Sequence, residues 1–252
     1  MTILSEISCL FTNITVALFD IMYMIYDISI FSTVFIALPY KTFNEKTQIH
    51  DDIVSSCNTF CKDIVFDIGA NVGAFTKSIL DKKPQHVYCV EPSDNMVKSL
   101  RNNTMEAPVT IVDKAVSDTN GTQDIDEETH VYHNTTNQFE TITFDELVKD
   151  VDRIDFMKID CEGGEYSVFT PENYEYITTK VKHIAGEWHL WGVPAALDNF
   201  LKFRDLYLTN RKFRAFDRDD KEVTDKMFDD MFLKRYSHSL KHGAQLIIYM
   251  DN

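Results

Sequence analysis

Five short runs of apolar, β-branched residues recur along the chain with helix-compatible stretches between them: Asp63–Ile68, His86–Val90, Val109–Val112, Ile154–Ile159 and His183–Gly186. Strands apolar along their whole length must be covered on both faces, so this alternation predicts a mostly parallel sheet with helices on either side. Lys212–Phe216 and Gln245–Met250 read as two further strands. A helix is predicted over Ala74–Leu80, with Lys82 and Lys83 where its carboxyl end favours cations and Pro84 blocking continuation. Ser93 and Asp94 are good caps for a helix to about Asn103, and Thr143-Phe-Asp-Glu146 has the form of a capping box opening a helix to Lys149. Residues 118–140 are polar and turn-rich, an excursion with a short strand around His130–Tyr132. The acidic stretch Asp217–Asp230 reads as a solvated turn and helix face, with Met227, Phe228, Met231 and Phe232 as the buried side. With 252 residues, 44% of them hydrophobic, the chain suits one large α/β domain over 42–252 with an apolar, helical segment over 1–41.

Within residues 7–39 the only charges are Asp20 and Asp27, and no Lys or Arg occurs before Lys41. The stretch is long enough to span a bilayer, but each aspartate would cost a few kcal/mol at a helix centre. Glu6, Asn13, Asp20 and Asp27 recur every seven residues, so a helix here carries a narrow polar stripe on an apolar cylinder. Packing on the main domain or in a homo-oligomer, association with a membrane, and an extension without a role all remain open. A cytoplasmic location is expected in each case, since Lys41 and Lys46 would keep the main domain inside if the segment spans.

The net charge of −15 offers no basic stripe for a phosphate backbone; the nearest approach is Arg211-Lys212-Phe213-Arg214, so no nucleic-acid partner is expected. The five cysteines are odd in number and scattered, and Cys57 and Cys61 are spaced neither as a redox pair nor as half a zinc ribbon; reduced thiols are the simplest reading.

The strongest local signal is Ile64-Val-Phe-Asp67-Ile-Gly69-Ala70-Asn71-Val-Gly73-Ala-Phe-Thr76. A buried strand ends in an acid, and a turn with two glycines then opens a helix, so backbone can approach a ligand closely and the helix start offers free N–H groups. Dinucleotide sites show G-x-G-x-x-G aimed at a pyrophosphate. Here the pattern is D-x-G-x-x-x-G, and a carboxylate repels a pyrophosphate but attracts the ammonium of S-adenosylmethionine, directly or through water. Glu91, ending the next strand about twenty residues past the glycine turn, suits bonding to ribose hydroxyls.

These residues closely resemble the FkbM-type methyltransferases. The likeness runs through Val65–Thr76, then Val90-Glu91-Pro92, then Ala115-Val116-Ser117-Asp118 with Gly121. It continues in Glu140–Leu147 and in Ile154–Glu165, where the family's D-x-E-G-x-E appears as Asp160, Glu162, Gly163 and Glu165. The resemblance implies a seven-stranded class I methyltransferase fold, Rossmann-like, whose antiparallel last strand is Gln245–Met250. It implies S-adenosylmethionine as cofactor, methyl transfer to an oxygen of a sugar, glycan-like or small-molecule acceptor, and an adenine lying along Val116–Asp118. It does not extend to residues 1–40.

A protonated alcohol is a poor nucleophile, so O-methylation needs a general base or a metal that acidifies the hydroxyl. Asp160 ends the fourth run, while Glu187 and His189 follow the fifth, two residues apart and on one side if the strand extends that far. His189 is the expected base, with Asp160 orienting it or facing the sulfonium. A divalent ion held by Asp160, Glu187 and His189 is chemically open, but no metal ligand is assigned. Trp188 and Trp191 could wall a sugar's apolar face, although core tryptophans are commoner. His130-x-x-His133 and His238-x-x-x-His242 have metal-like spacing without partners in a recognisable pattern and read as surface histidines. Three competing readings remain: a nicotinamide oxidoreductase, disfavoured by the glycine spacing; an N-methyltransferase; and a non-catalytic cofactor-binding scaffold.

Overall fold

The computed structural model of the chain describes residues 62–124, 138–190, 195–239 and 244–252. The amino-terminal segment, Cys57 and Cys61, the strand expected at His130–Tyr132, Trp191, His133 and His242 lie outside the described residues.

The apolar runs fold as expected into β1 (Ile64–Ile68), β2 (His86–Val90), β3 (Val109–Val112), β7 (Ile154–Ile159), β8 (Val181–His189), β9 (Lys212–Phe216) and β10 (Gln245–Asp251). They form one sheet in the order β3-β2-β1-β7-β8-β10-β9. β10 runs against both of its neighbours and the other strands are mutually parallel, which is the class I, Rossmann-like arrangement. Between β3 and β7 the excursion forms a small second sheet of β4 (Ala115–Val116), β6 (Gln138–Ile142) and β5 (Gly121–Asp124), in that order. These strands are too short and polar to stand out by periodicity.

The connections are helical: α1 (Ala74–Leu80), α2 (Asp94–Asn103), α3 (Phe144–Val148), α4 (Glu165–Val168), α5 (Tyr174–Lys180), α6 (Ala196–Phe203) and α7 (Asp230–Ser239). Ser93 and Thr143 stand at the N-cap positions of α2 and α3 in extended conformation, but neither side chain caps its helix. Thr143 instead accepts from the Asn120 amide, 3.2 Å away, so the capping-box reading fails because a side-sheet loop takes the hydroxyl. Around α7 the buried side also differs from expectation. Met227 and Leu233 are buried, whereas Phe228 and Met231 are exposed; the helix begins only at Asp230, so Met227 and Phe228 lie ahead of it and do not share its face.

The core is continuous across the sheet. β1 and β7 are buried almost throughout, and under the far side of β8 an aromatic stack joins Phe169, Trp188, Phe203 and Tyr207. Trp188 is fully buried, with its ring stacked on Phe203 at 4.8 Å, so it belongs to the core and not to an acceptor wall. Burying side chains of this size stabilises the fold by roughly 1.5–3 kcal/mol each. The consequence for function is positional. The pairings Asp67↔Cys89, Asp67↔Lys158 and Ile159↔Gly186 set the carboxyl ends of β1, β2, β7 and β8 side by side along one edge.

Candidate active site

The turn after β1 is built from backbone in unusual conformations. Gly69, Asn71 and Gly73 have φ of 78°, 51° and 82°, all in the left-handed region. At Gly69 a Cβ would lie 1.7 Å from the carbonyl oxygen of Asp160, so only glycine lets the tips of β1 and β7 meet. The Gly69 and Ala70 N–H groups donate to the Val90 carbonyl at 2.9 and 3.0 Å, pinning the turn to the end of β2. The Asn71 side-chain oxygen accepts the Val72 N–H, 2.7 Å away.

Glu91 completes this cradle. Its buried carboxylate accepts the Asn71 N–H on Oε2 and the Ser93 N–H on Oε1, both at 2.9 Å. Burial pushes its pKa up, while the two N–H groups hold it down less strongly. Each oxygen keeps a second acceptor position.

Asp67 is placed differently from expectation. It is 0% exposed. Its Oδ2 accepts the Thr76 hydroxyl at 2.7 Å and its Oδ1 lies 3.2 Å from Lys158 Nζ. With no accessible surface of its own, it braces the turn through Thr76 and Lys158. Lys158, which lies in the Ile154–Glu165 block but has no expected role, is the hub: its ammonium also donates to the Gly69 carbonyl at 2.7 Å and stands 3.8 Å from Asp160 Oδ2. Burial opposes its charge, but Asp67 and Asp160 outweigh it and raise its pKa. Cys89 borders the same spot, its Sγ 3.1 Å from the Thr76 hydroxyl, and burial pushes its thiol up to about 12. An inert thiol is the result.

The second cluster sits at the ends of β7 and β8. Antiparallel pairing with β10, through Gln245↔His189, extends β8 to His189 and puts Glu187 and His189 on one face. The Cys161–Gly164 turn, with Glu162 at φ 52° and Gly163 at φ 103°, folds Glu162 back over the strand ends. His189 is 2% exposed and lies among carboxylates. Its Nδ1 is 2.9 Å from Glu165 Oε1, and its Nε2 is 3.2 Å from Glu162 Oε2 and 3.4 Å from Glu187 Oε1. Glu165 is itself fixed by the Cys161 N–H at 3.2 Å, and the Tyr166 hydroxyl donates to the His189 carbonyl at 2.7 Å. The group that orients the ring is therefore Glu165, not Asp160. The Asp160 carboxylate still joins the cluster, since donor atoms of Asp160, Glu162 and His189 lie within 4.8 Å of one another.

The electrostatics follow from this crowding. Burial works against a charged His189, but Glu165, Glu162 and Glu187 overcome it and lift the imidazole pKa well above its ordinary value. Burial and then Asp160 push Glu187 well above the carboxylate range, and burial likewise raises Asp160 and Glu162. Both ring nitrogens of His189 are directed at carboxylates, Nδ1 at Glu165 and Nε2 at Glu162 and Glu187. Glu187 is 1% exposed, and neither of its oxygens has a hydrogen-bond partner among the described residues.

Val116 ends β4 beside this turn: a Cβ on Gly164 would come within 3.4 Å of the Val116 carbonyl. Asp118 follows, exposed, two residues on. His238 is an exposed residue whose Nδ1 lies 2.7 Å from the Lys234 carbonyl, away from any such cluster. Glu162 and Glu165 are legible as motif members in D-x-E-G-x-E, but their convergence on His189 depends on how far β8 runs.

The methyltransferase FkbM domain matches residues 67–215, more than half of the chain and the span that holds both clusters. No curated protein matches the sequence. Among solved structures, an rRNA methylase from Streptococcus thermophilus is 11% identical, with a TM-score of 0.45, covering 82% of this chain and 97% of that one. A precorrin-6y C5,15-methyltransferase from Geobacter metallireducens is 12% identical, with a TM-score of 0.42, covering 83% and 90%. A pre-rRNA processing fibrillarin from Methanococcus jannaschii is 10% identical, with a TM-score of 0.41, covering 76% and 67%. Likeness at this level says nothing of the acceptor. Over the residues that build its glycine turn, Glu91 and the Asp160–Glu165 motif, the chain belongs to the FkbM family of S-adenosylmethionine-dependent methyltransferases.

Proposed function

We propose that the chain methylates a hydroxyl group of a sugar-bearing or small-molecule acceptor. The observation that carries this reading is the crowd of carboxylates around His189 at the ends of β7 and β8, beside the cofactor turn. Methyl transfer from a sulfonium is an in-line displacement in which positioning supplies much of the rate. A neutral amine brings its own lone pair, whereas a hydroxyl must shed a proton, and this cluster concentrates the groups that handle one.

In this reading the Gly69–Gly73 backbone lies under the methionine part of the cofactor, Glu91 meets the ribose hydroxyls, and Val116–Asp118 flanks the adenine. Asp67 acts one step back by holding Thr76 and Lys158. Asp160, partly exposed at the tip of β7, faces the reacting centre. The acidic chain, with net charge −15, favours neutral or cationic acceptors over polyanions.

The test is methyl transfer from methyl-deuterated S-adenosylmethionine to a panel of glycosides, small alcohols and their amino analogues. Label found by NMR on oxygen-bound methyl supports the reading. Label on nitrogen or carbon, with the hydroxyl compounds untouched, overturns the hydroxyl assignment and leaves the methyltransferase intact.

A further inference from the structure

The carboxylates around His189 outnumber the cations available to them. Among the described residues, Asp160, Glu162, Glu165 and Glu187 share one buried region with a single ammonium, Lys158, and a single imidazole. Taking carboxylates out of water without partners is expensive. Glu165 is accounted for by the His189 ring and the Cys161 N–H. Glu187 is not: it is 1% exposed, with Oε1 directed at His189 Nε2 from 3.4 Å and no hydrogen bond to either oxygen among the described residues.

From this geometry we infer that Asp160, Glu162, Glu187 and His189 Nε2 form a binding site for one divalent metal ion, with Glu165 as the residue that orients the imidazole. The inference rests on the hydroxyl-methylation reading and supplies its missing activator. Three features point to a metal and not to a proton alone.

The first is spacing. Metal bonds of about 2.0–2.2 Å place neighbouring donors roughly 3 Å apart. Glu162 Oε2 and Glu187 Oε1 stand 3.2 and 3.4 Å from Nε2. The second is the tautomer. With the Nδ1 proton held by Glu165, Nε2 is the nitrogen that presents a lone pair when a cation replaces its proton, and such carboxylate–imidazole pairs behind a ligand are the usual support of metal sites. The third is valence. A proton on Nε2 serves one carboxylate well, whereas a divalent ion satisfies Asp160, Glu162 and Glu187 together. Three carboxylates and one imidazole are hard donors of the kind that select Mg²⁺, Mn²⁺ or Zn²⁺. An ion here, next to Asp160 at the tip of β7, would bind the acceptor oxygen and lower its pKa as a Lewis acid, so that the hydroxyl proton passes to bulk water as the methyl group leaves the sulfonium for the oxygen. His189 then needs no role as base.

The test uses Mn²⁺ with the full chain after treatment with EDTA. The six-line EPR signal of free Mn²⁺ should disappear up to one equivalent per chain. Glu187→Gln and Glu162→Gln should each weaken Mn²⁺ binding at least about tenfold, in line with losses seen when metal-supporting groups are removed. Both variants should keep the wild-type affinity for S-adenosylhomocysteine, which verifies that they fold; Glu162, on the partly exposed turn, disturbs the core least. Absence of bound Mn²⁺ in wild-type protein that does bind S-adenosylhomocysteine would overturn the inference. Equal Mn²⁺ binding by the variants would do the same, by marking the ion as a visitor to the acidic surface. Mn²⁺ binding is read independently of methyl transfer, so its failure and a wrong acceptor atom give different results.

Discussion

Gly69→Ala is expected to abolish S-adenosylhomocysteine binding and to destabilise the fold by about 4 kcal/mol or more, the range reserved for severe single mutations. Two costs combine. The residue holds φ 78°, where an L side chain is strained. The new Cβ would also sit 1.7 Å from the Asp160 carbonyl oxygen and 2.6 Å from its carbon, and both are backbone atoms. Relief would require parting β1 from β7, which are tied here by the Asp160 N–H to Ile68 carbonyl bond of 3.0 Å. Gly73→Ala is the control within the same motif. Its φ is as strained at 82°, but the obstacle, at 2.5 Å, is the end of the Leu100 side chain, which can rotate away. Chemical denaturation should therefore rank Gly69→Ala far below Gly73→Ala, which should lose only about 1–3 kcal/mol. Equal losses would mean that conformational strain, and not the close approach of the two strands, governs the turn.

Lys158→Met should cost about 3–5 kcal/mol, the penalty for removing one partner from a buried ion pair. Methionine keeps most of the volume and the apolar stem, so the loss isolates the ammonium. Without it Asp67, fully buried, retains only the Thr76 hydroxyl, and the Gly69 carbonyl loses its donor. The expected companion result is that Asp67→Asn added to Lys158→Met recovers part of the loss, because no uncompensated carboxylate remains. Guanidinium unfolding of the four proteins measures the coupling directly. A loss below about 1 kcal/mol for Lys158→Met would place this pair with solvated surface ion pairs.

Much of this architecture is legible in the amino-acid sequence. β2, β3, β7 and β9 match the expected runs residue for residue, and β1 to within one; for the central strands β1 and β7 this follows from burial on both faces, which leaves few polar residues to blur their limits. β8 shows where that logic stops. Its apolar run ends at Gly186, yet the strand continues to His189, since Glu187 and His189 are polar for the sake of the site while their backbone is held by β10. The side sheet of β4, β5 and β6 escapes the pattern for the opposite reason: it buries little, so it carries little periodicity. In the site, D-x-G-x-x-x-G and Glu91 can be read because backbone geometry demands those residues. The roles of Asp67 and His189 cannot, because they depend on neighbours far along the chain. Lys158 pairs with Asp67, and Glu165, Glu162 and Glu187 surround the His189 ring.

Isothermal titration with S-adenosylhomocysteine tests most directly whether the Asp67–Gly73 turn and Glu91 together form the cofactor site. The purified chain should bind one equivalent, and Glu91→Ala should bind at least about tenfold more weakly, a loss of about 1.4 kcal/mol or more. An unchanged affinity in folded Glu91→Ala, or no binding by the folded wild-type chain, would contradict the account.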